Sequence, residues 1–133
     1  MTLGTSIGQI AVIQGDFGSP RFRSKWNHAH KMVDEFGNEL LGHIKQRELP
    51  VVLVGDLNST PSGSISRRLS ELGLFRAKPK HYFVGTYPDW PWPFSVAIDD
   101  VMTSGELSIV RWRAENATGS DHRPISVEIV RVR

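Results

Sequence analysis

The sequence predicts an α/β fold: a mixed sheet with helices on one face, in the order β-α-β-α-β-β-β-β. Three observations lead there. The run VVLVG at 51–55 is continuous and β-branched, as in a central strand covered on both faces. Apolar residues at Trp26, Ala29, Val33, Phe36, Leu40 and Ile44 step by three and four, the period of an amphipathic helix. Near the C-terminus Ile125, Val127 and Ile129 alternate with Ser126, Glu128 and Val130, the period of a strand.

Each element follows in turn. IGQIAVI (7–13) reads as a buried strand, and QGDFGSPRFRS (14–24) as a loop rich in Gly, Ser and Pro. One long helix is expected over 25–48, weakened but not broken by Gly37 and Gly42 and stopped by Leu49-Pro50. After the strand 51–55, DLNSTPSGS forms a loop. SISRRLSELG then gives a short helix with Ile65, Leu69 and Leu72 on one face and Gly73 at its end. HYFVGTY (81–87), VAIDDVMTS (96–104), ELSIVRWR (106–113) and PISVEIVRV (124–132) read as four strands of the same sheet. Ser104-Gly105 supplies a hairpin-type turn.

Composition sets the class. A chain of 133 residues, 39% hydrophobic and 23% charged, fits one soluble globular domain. No apolar run reaches the roughly 18 residues that span a bilayer. MTLGTSIGQIAVIQG lacks a basic leader with a long apolar stretch, so no signal peptide is expected. The absence of cysteine excludes disulfides and thiolate metal sites and suits a cytoplasmic location. A net charge of +2 permits a phosphate-bearing partner without indicating a nucleic-acid binder. The basic groups Arg21/Arg23/Lys25, Arg67/Arg68 and Arg76/Lys78/Lys80 read as ordinary surface, as do His28 and His30.

Three segments at strand ends carry chemistry. In GDLN (55–58), Asp56 and Asn58 lie two apart, and in an extended segment both point to one side, a base beside a neutral donor. The same residues also describe an Asx turn that merely ends a strand. In AIDD (97–100), Asp99 and Asp100 face opposite ways; either one enters a site or both guard an edge strand. In SDHRP (120–124), Asp121 suits a hard cation that prefers oxygen, and His122 can donate to a phosphate or move a proton. A carboxylate on the far ring nitrogen would fix the tautomer of His122, and Asp99 is the candidate; a capped turn is the plainer alternative. YPDWPWPF (87–94) is rigid and aromatic, either a wall on which bases or sugars stack or a loop packed on the domain.

Taken in order, GDLNSTPSGS (55–64), GTYPDWPWP (85–93), AIDDVMTS (97–104) and GSDHRPISVEI (119–129) resemble the endonuclease/exonuclease/phosphatase superfamily. The resemblance implies a DNase I-like α/β sandwich of which residues 1–133 form one domain, equivalent to the C-terminal half. It implies Mg²⁺- or Mn²⁺-dependent cleavage of a phosphoester by water, on nucleic acid or on a small or lipid phosphoester. Carried over, Asp56 would orient or deprotonate the water and Asn58 would stabilise the pentavalent phosphoryl group. Asp121 would lie near the metal, and His122, oriented by Asp99, would bind the scissile phosphate. Thr86, Tyr87 and Arg123 would contact substrate.

The chain departs from that pattern in four ways. No segment before Gly55 offers the family's early Asn or its metal-binding Glu, so a metal would be weakly held. Gln14-Gly15-Asp16 stands where the family has a histidine, and Asp100 where it has His or Tyr. Half of a sandwich would also leave one sheet face bare, so a homodimer through that face is expected. The alternative to a reduced hydrolase is a catalytically silent, dimeric binding module.

Overall fold

The computed structural model describes residues 2–18, 23–46, 48–76, 84–90, 93–117 and 119–132. β1 (Thr2–Thr5) and β2 (Gly8–Asp16) lead into α1 (Arg23–Glu35). A π-helical turn (Phe36–Leu40) and α2 (Leu41–Gln46) continue it. β3 (Val51–Asp56), α3 (Ser64–Glu71), β4 (Leu74–Arg76), β5 (Asp99–Ser104), β6 (Leu107–Ala114) and β7 (Ile125–Arg131) follow. The main sheet has five strands in the order β1-β2-β3-β5-β4. Only β2 and β3 run parallel in it, so the sheet is mixed, as the sequence predicts.

The alternation of β3 explains how both faces of this sheet are filled. Val51 and Leu53 join Ala29 and Val33 of α1, Leu41 of α2, Ile65 and Leu69 of α3, and Met102 in a core on the helical side. Val52 faces the other way and packs with Ile10, Val101 and Leu107. A fully buried Leu such as Leu53 or Leu69 contributes about 1.5–3 kcal/mol relative to exposure. The expected long helix covers the right span but is interrupted. A side-chain carbon at Gly37 would stand 2.7 Å from Leu72 Cδ1, so any larger residue there would have to displace the Leu72 side chain at the end of α3. Trp26, placed on the apolar stripe, is 44% exposed and stacks on His30 instead. His30 is half-buried, its Nε2 3.0 Å from Ser64 Oγ.

Three expectations are corrected. Residues 81–83 of the predicted strand 81–87 lie outside the described residues. Val84 to Thr86 are not strand, and Tyr87 makes only an isolated bridge to Val96. The neighbour of β5 is β4, three residues too short to show a period. Secondly, β6 and β7 do not join the main sheet. Both edges of β5 are taken, by β3 and β4, so the turn at Gly105–Glu106 sends β6 out to pair with β7 alone. Thirdly, the sheet face opposite the helices is not bare. Ile109, Ile125, Val127 and Ile129 of this ribbon pack against Ile10, Val52 and Val101.

Candidate active site

The site begins with two matching strand ends. β2 ends Gly15-Asp16 and β3 ends Gly55-Asp56, paired residue for residue. Gly55 has φ +140°, and a side-chain carbon there would lie 2.0 Å from the Gly15 carbonyl oxygen; the strands can approach only because this residue is glycine. Asp56 in turn stands opposite Asp99 of β5. Asp16, Asp56 and Asp99 therefore form a row across three neighbouring strands. Asp16 is named above only as a departure from the family's histidine and not as a site residue; the repeated Gly-Asp strand ending was the available signal.

The loop after β3 is not extended. Asn58 has φ +46°, which Asn tolerates better than most residues. Its N–H donates to Asp56 Oδ1 at 2.8 Å, the Asx turn that was the plainer alternative, and its Nδ2 lies 3.5 Å from Asp16 Oδ1. The inference that Asp56 and Asn58 share a side through an extended backbone is thus corrected. The turn itself brings them together.

From the C-terminal segment, His122 Nδ1 meets Asp99 at 2.9 Å from Oδ2 and 3.0 Å from Oδ1. The His122 N–H donates to Ser120 Oγ, which ties the imidazole's own backbone in a short turn. The Tyr87 ring lies against the imidazole, centroids 4.5 Å apart and 34° between planes. With Nδ1 held by a carboxylate, Nε2 is left for a ligand. Asp56, Asp99 and His122 each bring one ligand atom within 4.8 Å of the others. Beside them an open cavity of about 520 Å³ runs between sheet and ribbon, lined by Gln14, Val54, Arg123 and Ile125 among others.

Electrostatics follow from that crowding. Burial pushes the Asp56 pKa above the ordinary carboxylate range, and the Asp99 and Asp16 charges push the same way; the Asn58 N–H and His122 oppose them. At His122, burial disfavours the imidazolium. The Asp99 hydrogen bond and the charges of Asp99, Asp56 and Asp121 outweigh it, so its pKa is raised.

The other predicted residues fall differently. Asp121 is exposed and outside the Asp56–Asp99–His122 group; its carbonyl accepts from the Asp89 N–H. Thr86 is fully buried and offers no surface to a substrate. Its hydroxyl oxygen accepts from the N–H groups of Ile98 and Asp99 and so fixes the start of β5. Tyr87 is half-buried on His122. The Arg123 Nε donates to the Glu115 carbonyl and lies 3.6 Å from Asp89. The Asp100 side chain is buried in a sealed ion pair. Its Oδ2 is 3.1 Å from Arg76 Nε, in contact though not in hydrogen-bonding alignment, and its Oδ1 accepts from Val101 N–H and Trp112 Nε1. Arg76, read as surface, is buried with it, and burial lowers its pKa against the pull of Asp100.

Asp56, Asp99 and His122 could hold a metal ion. The fit to a hard cation is partial: two carboxylates supply the oxygen such ions prefer, while the His122 nitrogen nearest them is engaged by Asp99.

A row of acids with an acid-held histidine thus stands at the end of a mixed sheet. The model of the Endonuclease/Exonuclease/phosphatase family matches residues 15–122, and the chain belongs to that family. No curated protein matches the chain. Among solved structures it is similar to an endonuclease/exonuclease/phosphatase from Beutenbergia cavernae (TM-score 0.71, 19% identity, 98% of this chain and 38% of that one). It is also similar to a mannosyl-6-phosphatase from Bacteroides thetaiotaomicron (0.63, 21%, 92% and 51%). A third is a 3'-5' exonuclease from Neisseria meningitidis (0.65, 16%, 96% and 63%). The architecture is that of these DNase I-like neighbours, and the chain spans 38–63% of their lengths.

Proposed function

We propose that this chain carries the phosphate-binding side of a metal-dependent phosphoester hydrolase. The observation that supports the reading most is the Asp99–His122 pair beside Asp56 at the strand ends. His122, anchored through Nδ1 and favoured in its charged form, donates from Nε2 to an oxygen of the scissile phosphate. Asp56, with its raised pKa, is suited to accept a proton from an attacking water. The Asn58 side-chain amide donates to the phosphoryl oxygens. Mg²⁺ or Mn²⁺, when held by the carboxylates of Asp56 and Asp99, would neutralise charge on the phosphate. Similar folds in a sugar phosphatase and an exonuclease support a phosphoester as the substrate class.

The experiment is turnover of bis-p-nitrophenyl phosphate with Mg²⁺ or Mn²⁺. His122→Ala should lower the rate by about a hundredfold or more. Equal rates in both proteins would refute the proposal. The second reading, a silent binding module, is favoured by the half-length match and is the one left standing if neither protein turns over. In either case we propose a homodimer, in which a second copy supplies the half that this chain lacks relative to its structural neighbours. Light scattering on a sizing column should give twice the chain mass; a monomer at micromolar concentration would rule that out.

A further inference from the structure

Four polar side chains, Ser59, Ser66, Arg76 and Asp100, are buried and take no part in the chemistry proposed above. Three of them close on the turn that carries Asn58, and the fourth holds Arg76. Asn58 leaves β3 at φ +46°, a conformation that a residue other than glycine keeps only where its surroundings impose it. Thr60, Pro61 and Ser62 beyond it are exposed, so hydrogen bonds rather than packing hold that side. Both carbonyls after Asn58 are held from inside. The Ser59 carbonyl accepts from Arg76 Nη2 at 2.8 Å. The Thr60 carbonyl accepts from Ser66 Oγ at 2.8 Å and from the Gly63 N–H at 2.9 Å. The Ser59 hydroxyl oxygen accepts from the Ser66 N–H at 3.3 Å, and so caps α3 in place of Gly63, which has no side chain to do it.

Arg76 links this turn to the other arm of the site. Its Nε lies 3.1 Å from Asp100, whose chain neighbour Asp99 holds His122. Yet its aligned hydrogen bond goes to the Ser59 carbonyl, while Nε and Nη1 are buried with no aligned partner among the described residues. A guanidinium serving Asp100 alone would face that carboxylate with a pair of donors. We propose that Arg76 is a positioning residue of this site, which clamps the Asn58 turn onto β5 beside Asp99 and so fixes the Asn58 amide relative to His122. The inference rests on the reading above, in which Asn58 and His122 act on one phosphate. Two donors serve one phosphoryl group only while their separation is fixed. Lysine does not replace arginine here, because a point charge on a flexible stem lacks the planar fork that reaches both Asp100 and the Ser59 carbonyl.

The test is amide hydrogen exchange followed by NMR, on wild type and Arg76→Lys, without substrate or metal. The Asn58 N–H, which donates to Asp56 Oδ1, should be protected in wild type. In Arg76→Lys it should exchange about tenfold faster, measured relative to Leu53 and Met102 in the core strands. A merely structural loss would speed all three by one factor. That outcome, an unchanged Asn58 rate, or an Asn58 amide unprotected in wild type overturns the proposal. If Arg76→Lys does not fold, Arg76→Met combined with Asp100→Asn, which leaves no buried charge in the pair, takes its place with the same expected result. Where wild type turns over bis-p-nitrophenyl phosphate, Arg76→Lys should lower kcat about tenfold with KM little changed, and should lower it no further in an Asn58→Ala background. Additive losses overturn the link. A protein that hydrolyses nothing, yet releases the Asn58 amide in the variant, keeps the link and refutes the hydrolase reading, so the two failures are separate results.

Discussion

Asp99 and Asp100 follow one another in β5, and each is paired with a base. Asp99 meets His122 at 2.9 Å with side chains 16% and 33% exposed; Asp100 meets Arg76 at 3.1 Å with 1% and 9%. The partners differ as much as the burial does. Arg76 remains protonated over the working pH range, so that pair is a fixed joint between β4 and β5, extended by Trp112 Nε1 to the ribbon. His122 can gain or lose its proton, and its exposed edge lets a ligand share it. One strand end therefore holds a structural pair and a chemical pair side by side. What separates them is access to water together with a base that can lose its charge.

The sealed pair should give the largest effect on stability. Arg76→Met leaves Asp100 buried with no counter-charge and frees the Ser59 carbonyl that Arg76 Nη2 satisfies. Unfolding in urea should show a loss of about 3–5 kcal/mol. Adding Asp100→Asn removes the orphaned charge and keeps an acceptor for Val101 N–H and Trp112 Nε1. The double variant should then recover most of the loss, since an uncharged replacement of a buried pair is often neutral. If Arg76→Met costs less than about 1 kcal/mol, the pair is not the joint described, and the contrast with the cleft pair collapses.

That joint marks where the sequence stopped being readable. The central strand, the helix stripe and the four motifs were legible because each is local: a period, a composition, a short string. Asp100 stood out only as a misfit beside Asp99, and Arg76 looked like surface among Lys78 and Lys80. Their pairing depends on β4, three residues whose strand state comes from the free edge of β5 and not from any pattern of their own. The ribbon was misplaced for the same reason. β6 reads correctly as a strand, but its partner is decided by which edges are already occupied, and that is a property of the sheet. In the cleft, the Asp99–His122 contact followed from what each residue can do, whereas Asp16 joined the row only through the register of β2 on β3.

The chemical pair should respond to pH where the sealed pair does not. In Asp99→Asn, His122 loses the hydrogen bond and the charge that hold its pKa up, so the pKa should fall when followed by NMR titration. The stability follows from the sign. A folded-state pKa above the unfolded value means that the His122 contribution is complete below about 6.5 and is lost as pH rises through the raised value. Wild type should therefore exceed Asp99→Asn by more near pH 6 than near pH 9. The difference should be no more than about 1 kcal/mol, because a pair this open is screened by solvent. A gap that does not change with pH would assign Asp99 a purely structural place, like that of Asp100.

The smallest shift should come from Asp56, and its direction is the informative part. Its folded-state pKa is raised by burial and by Asp99 and Asp16, so the unfolded chain ionises first as pH rises. Folding is then favoured by the neutral form, and that advantage is lost between the ordinary value of 3.8 and the raised one. Asp56→Asn is neutral at every pH and still presents an oxygen to the Asn58 N–H. It should match wild type in acid and unfold at a slightly higher temperature at pH 7, while losing phosphoester turnover. A carboxylate placed for packing alone would show the reverse: a variant less stable at neutral pH, with its activity kept. Greater stability with lost turnover would mean that Asp56 is held charged against the preference of the fold.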